Sequence, residues 1–287
     1  MGFPNVSTFA NASESGQEWM SFFHKNGSPV FPAAGWFSDL SMAAGTPKYN
    51  AYVGTQGEGT PFVGDGNFGI YVPRVGTGQT LHVSELNIGT PGGTLAPATF
   101  YLCDYLYVYA LTDMDDTSVQ VMDNSVAPVP RYANGEGVRV MVVTTTPQSG
   151  VAQSLVTYTN SKGVTGRTAS FYNSVSNTGN IQGAGDPAAG AGSQSPFVQL
   201  ASGDTGVQVI ESVQMLASAG GFTAVVLVKP LAEIKVREQN TVAEINYLIS
   251  KRTLPRVLPG AYLNWVYQSG VTAASSVIRG YVKYNWN

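Results

Sequence analysis

The chain of 287 residues carries charge on only 11 % of its positions, against about 25 % in an ordinary soluble domain, and its net charge is −3. No run of eighteen apolar residues is present, which excludes a membrane-spanning helix. The single cysteine, Cys103, excludes an internal disulfide and a cysteine-based zinc site. Because a free monomer normally disperses itself with surface charge, this composition favours a protein covered by its own copies or by a larger shell.

The first 75 residues are predicted to form a short helix and an extended arm. Residues 13–25 carry acidic residues early and a broad apolar face, a pattern that predicts a helix capped by Ser13. Residues 26–75 are rich in glycine, proline and asparagine with isolated aromatic residues. This is typical of an extended segment that packs on its own sandwich or on a neighbour. The first residues lack the charged and apolar regions of a secretory signal, and with a single cysteine in the chain we expect folding in a reducing cytoplasm.

Residues 76–287 are predicted to form the core, an antiparallel β-sandwich or jelly roll. Short runs rich in β-branched and aromatic residues alternate with turns, in a chain with 33 glycines and 16 prolines. The predicted strands are residues 68–72, 81–86, 99–110, 137–144, 154–159, 167–172, 197–200, 207–214, 221–230, 260–267 and 276–284. Within this core, residues 177–195 are expected to be a flexible insertion, and residues 241–251 a second short helix that ends before Pro255.

No motif in the sequence predicts a catalytic, cofactor-binding or metal-binding residue. Residues 64–69 match G-x-G-x-x-G, but a strand follows where dinucleotide binding requires a helix, so we interpret the match as a turn. The acidic run 113–116 lacks the glycine and glutamate of a calcium loop, and His24 and His82 have no partner at metal-ligand spacing. We therefore expect a protein without enzymatic activity.

The strand predicted at residues 99–110 carries a pattern of tyrosines. Tyr101, Tyr105, Tyr107 and Tyr109 share one parity, which places them on one face of the strand. Such a face favours sheet packing or a subunit interface over a sugar-stacking platform.

Charge is unevenly distributed along the chain. Residues 1–123 hold eleven acidic and three basic residues, whereas residues 229–287 hold eight basic and three acidic residues. Two interpretations remain open: the two ends pair within the fold, or the basic end contacts a neighbouring subunit or an acidic shell. The basic residues are too sparse to predict a nucleic-acid surface.

Three stretches resemble virion structural proteins of tailed bacteriophages: GWFSDLSMAAGTPKYN at 35–50, TYTNSKGVTGRT at 157–168 and PGAYLNWVY at 259–267. Within that group the chain is most similar to head decoration (cement) proteins, which sit outside the capsid lattice, often as trimers. The resemblance implies a non-enzymatic protein of the capsid surface that binds the major capsid protein and bridges neighbouring capsomers. It also implies a homotrimer, with neither nucleic acid nor a membrane as a partner. The shell protein itself is not implied, because its fold needs a long spine helix and no helix candidate here exceeds about thirteen residues.

Two other functions remain open, a tail or neck component of the same particles and a carbohydrate-binding receptor protein. For the capsid-bound function we predict contacts through aromatic residues of the arm and arginines of the basic end. The candidates are Trp36, Phe37, Tyr49, Tyr52, Arg252, Arg256 and Arg279. Deletion of residues 1–50 is then predicted to leave a folded core that no longer binds capsids.

Overall fold

The computed structural model describes residues 3, 5–26, 34–64, 67–92, 95–126, 131–183, 195–250, 253–271 and 277–287, and the strands among them pair antiparallel, as predicted. Its one α-helix in these ranges is α1 (Val6–Glu14), and short 3-10 turns lie at Leu40–Met42 and Ala133–Gly135. The strands are β1 (Glu18–Lys25), β2 (Phe37–Asp39), β3 (Gly45–Thr46), β4 (Gly59–Pro61), β5 (Leu81–Gly89), β6 (Ala98–Asp113), β7 (Val119–Val121), β8 (Arg139–Thr146), β9 (Ala152–Asn160), β10 (Arg167–Asn173), β11 (Ile181–Gln182), β12 (Val207–Met215), β13 (Phe222–Val236), β14 (Val242–Asn246), β15 (Arg256–Val257), β16 (Leu263–Ser269) and β17 (Ile278–Trp286).

The strands form three sheets. Sheet A has the order β14-β5-β17-β1-β3, with β15 also paired to β5. Sheet B has the order β11-β8-β13-β6-β16-β2, with β4 also paired to β6, and sheet C has the order β10-β9-β12-β7. The architecture is the all-β sandwich expected from the short strand runs and their turns.

Sheet B is the central layer, because its long strands β6 and β13 belong to three hydrophobic clusters. Phe100 of β6 packs in the cluster shared with sheet A, and Leu106 packs in the cluster shared with sheet C. The opposite face carries Tyr105, and aromatic residues of the 37–62 segment, Phe37 and Tyr52 among them, cover it. The extended segment therefore supplies a third layer of the core.

The prediction that four tyrosines share one face of β6 is wrong. Tyr105 pairs with Val228 and Tyr107 pairs with Leu227, so β6 has one residue more than β13 at this point, and the register shifts. Such a β-bulge turns the side chains that follow it to the other face. Tyr101 and Tyr105 consequently pack in one cluster, and Tyr107 and Tyr109 pack in another.

The predicted helix at residues 13–25 is also wrong in position. The helix is α1, which ends at Glu14 and is capped by Asn5, whose side-chain oxygen accepts a hydrogen bond from the Thr8 amide at 2.9 Å. Residues 18–25 form β1, because inward Ser21, Phe23 and Lys25 alternate with exposed neighbours along a strand that pairs with β17 over its whole length. The apolar residues look helical in sequence only because both inner and outer positions of this strand are aromatic.

The second predicted helix, at residues 241–251, is a strand followed by a turn. Residues 242–246 form β14 and pair with β5 at the edge of sheet A. The side chain of Asn246 then accepts the amide of Leu248 at 3.1 Å, which bends the chain out of the strand. β-branched Val242 and Ile245 fit a pleated edge strand better than their helical spacing suggests.

The arm and the insertion are built into the sandwich wherever the structure describes them. Strands β2, β3 and β4 pair with β16, β1 and β6 of the same chain. Residues 181–182 of the predicted flexible insertion form β11, which pairs with β8, while residues 184–194 lie outside the described residues. Of the two options for the arm, packing on its own sandwich is the one found in its described part.

Candidate subunit-contact surface

Large apolar side chains lie exposed together at one end of sheet A. The ring of Trp19, which is 49 % exposed, contacts the ring of Tyr71 edge-on at 5.7 Å between centroids. Tyr71 is 47 % exposed and shares with Val63 a groove of about 680 Å³ between residues 63–75 and 257–261. We call this the contact groove. Adjoining exposed apolar side chains of this kind are a feature of surfaces that bind a partner or a ligand.

Backbone hydrogen bonds fix the two walls of the contact groove. The Gly64 amide donates to the Gly260 carbonyl at 3.2 Å, and the Ile70 amide donates to the Leu263 carbonyl at 2.8 Å. A side chain at position 64 would place its first carbon 2.1 Å from the Ala261 carbonyl oxygen, so only glycine allows this close approach. These main-chain hydrogen bonds therefore fix the shape of the contact groove.

A buried ion pair beneath the contact groove ties the same walls to sheet B. Arg131 donates to both carboxylate oxygens of Asp104, at 3.0 and 2.8 Å. It also donates to three carbonyls, of Phe62 at 3.2 Å, Gly260 at 2.7 Å and Tyr105 at 2.8 Å. All five guanidinium donors are thus used, which is the condition under which a buried arginine is tolerated. Burial raises the pKa of the Asp104 carboxyl, and the Arg131 guanidinium opposes that rise.

A second buried carboxylate anchors the extended segment. Asp39 accepts hydrogen bonds from the Ser41 hydroxyl at 2.6 Å, the Tyr105 hydroxyl at 2.7 Å and the Tyr52 hydroxyl. Burial raises the pKa of Asp39, and these hydroxyl donors lower it again. Tyr52 and Phe37 are buried in this core, so these two contact candidates offer no surface to a neighbour.

The remaining contact candidates lie at separate places. Arg256 is exposed on β15 next to Val257 of the contact groove, and Tyr49 is exposed at 43 %, while Trp36 is half-buried. Arg279 is exposed on β17, opposite Gly89 of β5, whereas Arg256 lies opposite His82. His82 and Gly89 are seven positions apart on β5, which is roughly 23 Å along a strand. Arg252 lies outside the described residues.

The uneven charge of the chain is partly paired inside sheet A. Glu18 of β1 forms an ion pair with Lys283 of β17, with 3.1 Å between the carboxylate oxygen and the ammonium nitrogen. Lys283 also lies directly opposite Glu85 of β5. Arg74 and Arg256 at the rim of the contact groove have no ion pair among the described residues. Both earlier interpretations of the charge therefore keep some support: one ion pair joins the two ends of the chain, and Arg256 of the basic end has no ion pair among the described residues.

Lys25 is buried on the inner side of β1. Its ammonium group donates to the carbonyls of Ala43 at 3.1 Å and Pro47 at 2.7 Å, which joins β1 to the segment around β3. Burial lowers the pKa of Lys25 to about 8, and the negative charge of Asp39 opposes this shift.

The free energy of unfolding should therefore rise by about 2 kcal/mol from this lysine between pH 7.5 and 9.5. In that interval the native state has released the Lys25 proton near pH 8, while the unfolded chain holds it up to about pH 10.5, so unfolding must bind a proton. Urea unfolding of the wild type and of Lys25→Met at both pH values isolates the contribution as a difference. Parallel pH profiles of the two chains would contradict the prediction.

Neither a cluster of metal ligands nor a membrane-spanning helix is found among the described residues. Within the described ranges, no group of three or more His, Cys, Asp or Glu side chains is placed to hold a metal ion. Asp113 and Asp116 of the acidic run accept backbone amides of Asp115 at 2.9 Å and Ser118 at 2.8 Å, which makes this run a hydrogen-bonded turn. No helix in the described part of the chain is long and apolar enough to cross a membrane.

Comparison with known proteins gives little. No protein-family model matches the chain, and no curated protein matches it. Among solved structures, the chain has a weak similarity to the infectious bursal disease virus VP2 subviral particle, at 10 % identity and a TM-score of 0.14. The match covers 93 % of this chain and 64 % of that one. At this TM-score the similarity carries no argument about fold or function.

The buried anchors Asp39, Asp104 and Arg131 were not singled out in the sequence. Arg131 is 27 residues from its partner Asp104, and Tyr105 is 66 residues from Asp39. No local spacing connects such partners. The one available signal is the position of Asp104 inside a run of aromatic and aliphatic residues, where an ionised side chain needs a buried partner.

Proposed function

We propose that the protein is a non-enzymatic structural component of a virus particle that binds the capsid exterior and bridges neighbouring capsomers as a homotrimer. The observation that supports this most is the contact groove, where exposed Trp19, Tyr71 and Val63 adjoin Arg74 and Arg256, two exposed arginines with no ion pair to any described residue. An apolar centre with a charged rim is the usual anatomy of a protein interface. The low overall charge and the resemblance of three sequence stretches to head decoration proteins point to the same function.

The proposed contact is made by a rigid surface and not by a free arm. Phe37 and Tyr52 are buried, and the described part of the 34–64 segment packs on its own sheets, so the segment shapes the sandwich that carries the groove. A preformed surface loses little conformational entropy on binding, which favours assembly of many copies. Each copy would then stabilise the shell by covering a joint between capsomers.

Replacement of Tyr71 by Asp should weaken assembly about 30-fold, because a charge at the centre of an apolar contact removes about 2 kcal/mol of binding free energy. Light scattering over a concentration series measures the effect. We expect a wild-type mass of three times 30.3 kDa. Val121→Asp on β7 of sheet C is the matched control, since Val121 is 76 % exposed and lies on a different sheet.

The measured mass also distinguishes the proposed function from the alternative functions. A ring of six or twelve copies would indicate a tail or neck component in place of a capsid-bound trimer. A wild-type chain that is monomeric at every concentration, or a Tyr71→Asp chain that assembles like the wild type, would contradict the assignment of the contact groove.

A further inference from the structure

We propose that the outer face of sheet A carries a second site, separate from the contact groove, which binds a saccharide with a carboxylate group. The site is a groove of about 350 Å³ that crosses strands β1, β17, β5 and β14. We call it the outer groove. It lies about 20 Å or more along β5 from the contact-groove arginine Arg256, so it belongs to a different surface.

Strand register sets the outer groove in two cross-strand rows. In the first row, Arg279 lies opposite both His24 and Gly89, and Gly89 lies opposite Val242. In the second row the order across the sheet is Phe22, Tyr281, Asn87 and Glu244. Side chains opposite one another on one face are close enough to act on the same ligand.

The depth of the outer groove comes from Gly89. Between Arg279 and Val242 this position has no side chain, so the floor drops to the backbone of β5. A first side-chain carbon there would meet the Thr241 carbonyl and the Val242 side chain at 3.4 Å, which is ordinary contact. A first side-chain carbon therefore fits at position 89 without displacing the strand, and the absence of one leaves the groove its depth here.

Two aromatic rings form one end of the outer groove. Phe22 is 68 % exposed, and its ring meets the half-buried ring of Tyr281 at 5.9 Å and an interplanar angle of 67°. The Tyr281 hydroxyl donates to Glu85, which fixes the ring and raises the Tyr281 pKa to about 12. Fixed aromatic rings at the surface present apolar area with little loss of side-chain entropy on binding, and the flat hydrocarbon face of a pyranose matches such area.

The other end of the outer groove is cationic. The side chain of Arg279 is exposed, and its guanidinium makes no hydrogen bond or ion pair to any residue in the described ranges. A free guanidinium fork binds a carboxylate through two parallel hydrogen bonds. The carboxylate of Glu244 belongs to the second row, and that of Glu85 to the row after it. Both are farther along the sheet than the row of Arg279, so the negatively charged group of a ligand is attracted to the Arg279 end.

The composition of the outer groove favours an acidic saccharide over other anionic ligands. The side-chain amides of Asn87 and Asn240 suit hydroxyl groups, and Arg279 is the one arginine or lysine among the described lining residues, which suits a single carboxylate better than a polyphosphate. A peptide strand could not add to β5 or β17 in the middle of the groove, because both are paired on both sides within sheet A. The aromatic rings therefore match the sugar ring, the amides match its hydroxyl groups, and Arg279 matches its one negative charge.

The test uses two matched pairs of sugars and the full chain. Titration calorimetry and backbone-amide NMR shifts are recorded with 3′-sialyllactose against lactose and with trigalacturonate against maltotriose. We expect at least one acidic saccharide to bind about tenfold or more tightly than its neutral counterpart, with shifts centred on residues 22, 89 and 279. An acidic peptide and ADP are included as probes of the other anionic classes.

Three variants locate the site and separate it from the contact groove. Arg279→Met should abolish the preference for the acidic sugar, and Gly89→Val should abolish binding of both members of a pair while keeping the strand, because valine favours β-structure. Arg237→Met, another exposed arginine, is the control and should bind like the wild type. Far-ultraviolet circular dichroism and thermal unfolding show that each variant is folded.

Several outcomes would overturn the inference. These are no binding of either acidic saccharide, tighter binding of the peptide or ADP, or wild-type binding by Gly89→Val or Arg279→Met. Tyr71→Asp should leave sugar binding unchanged, because Tyr71 lines the contact groove and not the outer groove. Loss of assembly with retained sugar binding, or the reverse, therefore tells the two proposals apart.

Discussion

Replacing Arg131 by Met is expected to destabilise the fold by about 3–5 kcal/mol, a large part of the stability of an ordinary domain. The change leaves the Asp104 carboxylate buried without a counter-charge, and it strips donors from the carbonyls of Phe62, Tyr105 and Gly260. Urea unfolding followed by fluorescence gives the free energy. The contact groove should loosen as well, because its two walls lose their common donor.

A double variant makes this prediction specific. Arg131→Met with Asp104→Leu removes both charges, and we expect it to recover part of the lost stability, since an apolar pair of similar volume avoids burying a lone charge. The carbonyls that Arg131 bonded would remain unpaired, so recovery should be incomplete. A loss of less than 1 kcal/mol in the single variant would show that the ion pair is not needed to close this part of the core.

Deletion of residues 1–50 is expected to leave a chain that does not fold. This reverses the expectation from sequence that such a truncation keeps a folded core. The deletion removes β1 and β3 from sheet A and β2 from sheet B, and it removes Asp39, to which Tyr105 donates. It also takes away buried Phe23 and Leu40, each worth about 1.5–3 kcal/mol, so the summed loss approaches the whole free energy of folding.

A shorter deletion is the matched control. Removing residues 1–15 takes away α1, whose one buried residue is Ala12, and keeps β1 and all three sheets. That chain should keep its circular dichroism spectrum and a cooperative melting transition, whereas the longer deletion should lack both. Cooperative unfolding of the chain without residues 1–50 would show that sheet A closes without β1.

The strands that could be predicted are those whose runs combine β-branched residues with clear turns on both sides. Residues 137–144, 154–159 and 207–214 illustrate this, and they correspond to β8, β9 and β12. Strand β1 could not be recognised, because it contains no β-branched residue and its aromatic residues fall on both faces. Residues 68–72 and 197–200 read as strands but make only isolated backbone contacts, such as Ile70 with Leu263 and Val198 with Val140.

Much less of the candidate site could be predicted. The aromatic residues of the arm and the arginines of the basic end were recognisable as residue types. Whether a tyrosine is buried, as Tyr52 is, or exposed, as Tyr71 is, depends on the sheet that packs against it. The bulge that separates Tyr105 from Tyr107 depends on β13, more than a hundred residues later in the chain. Likewise, the outer groove exists only because Gly89, Arg279 and Phe22 meet in register, and single-sequence patterns carry no information about register between distant strands.

The order of sheet A has a consequence for biosynthesis. Strand β17 is the last strand of sheet A to be synthesised. It lies between β5 and β1, which are synthesised far earlier. Until β17 has left the ribosome, β1 and β5 have no common neighbour and both keep open edges that invite mispairing. Sheets B and C are also built from distant strands, so we expect folding to be slow and to finish only after β17 has left the ribosome. Copies made close together on one messenger RNA would then meet with sheet A still incomplete, and exchange of β17 between them is the misassembly to look for.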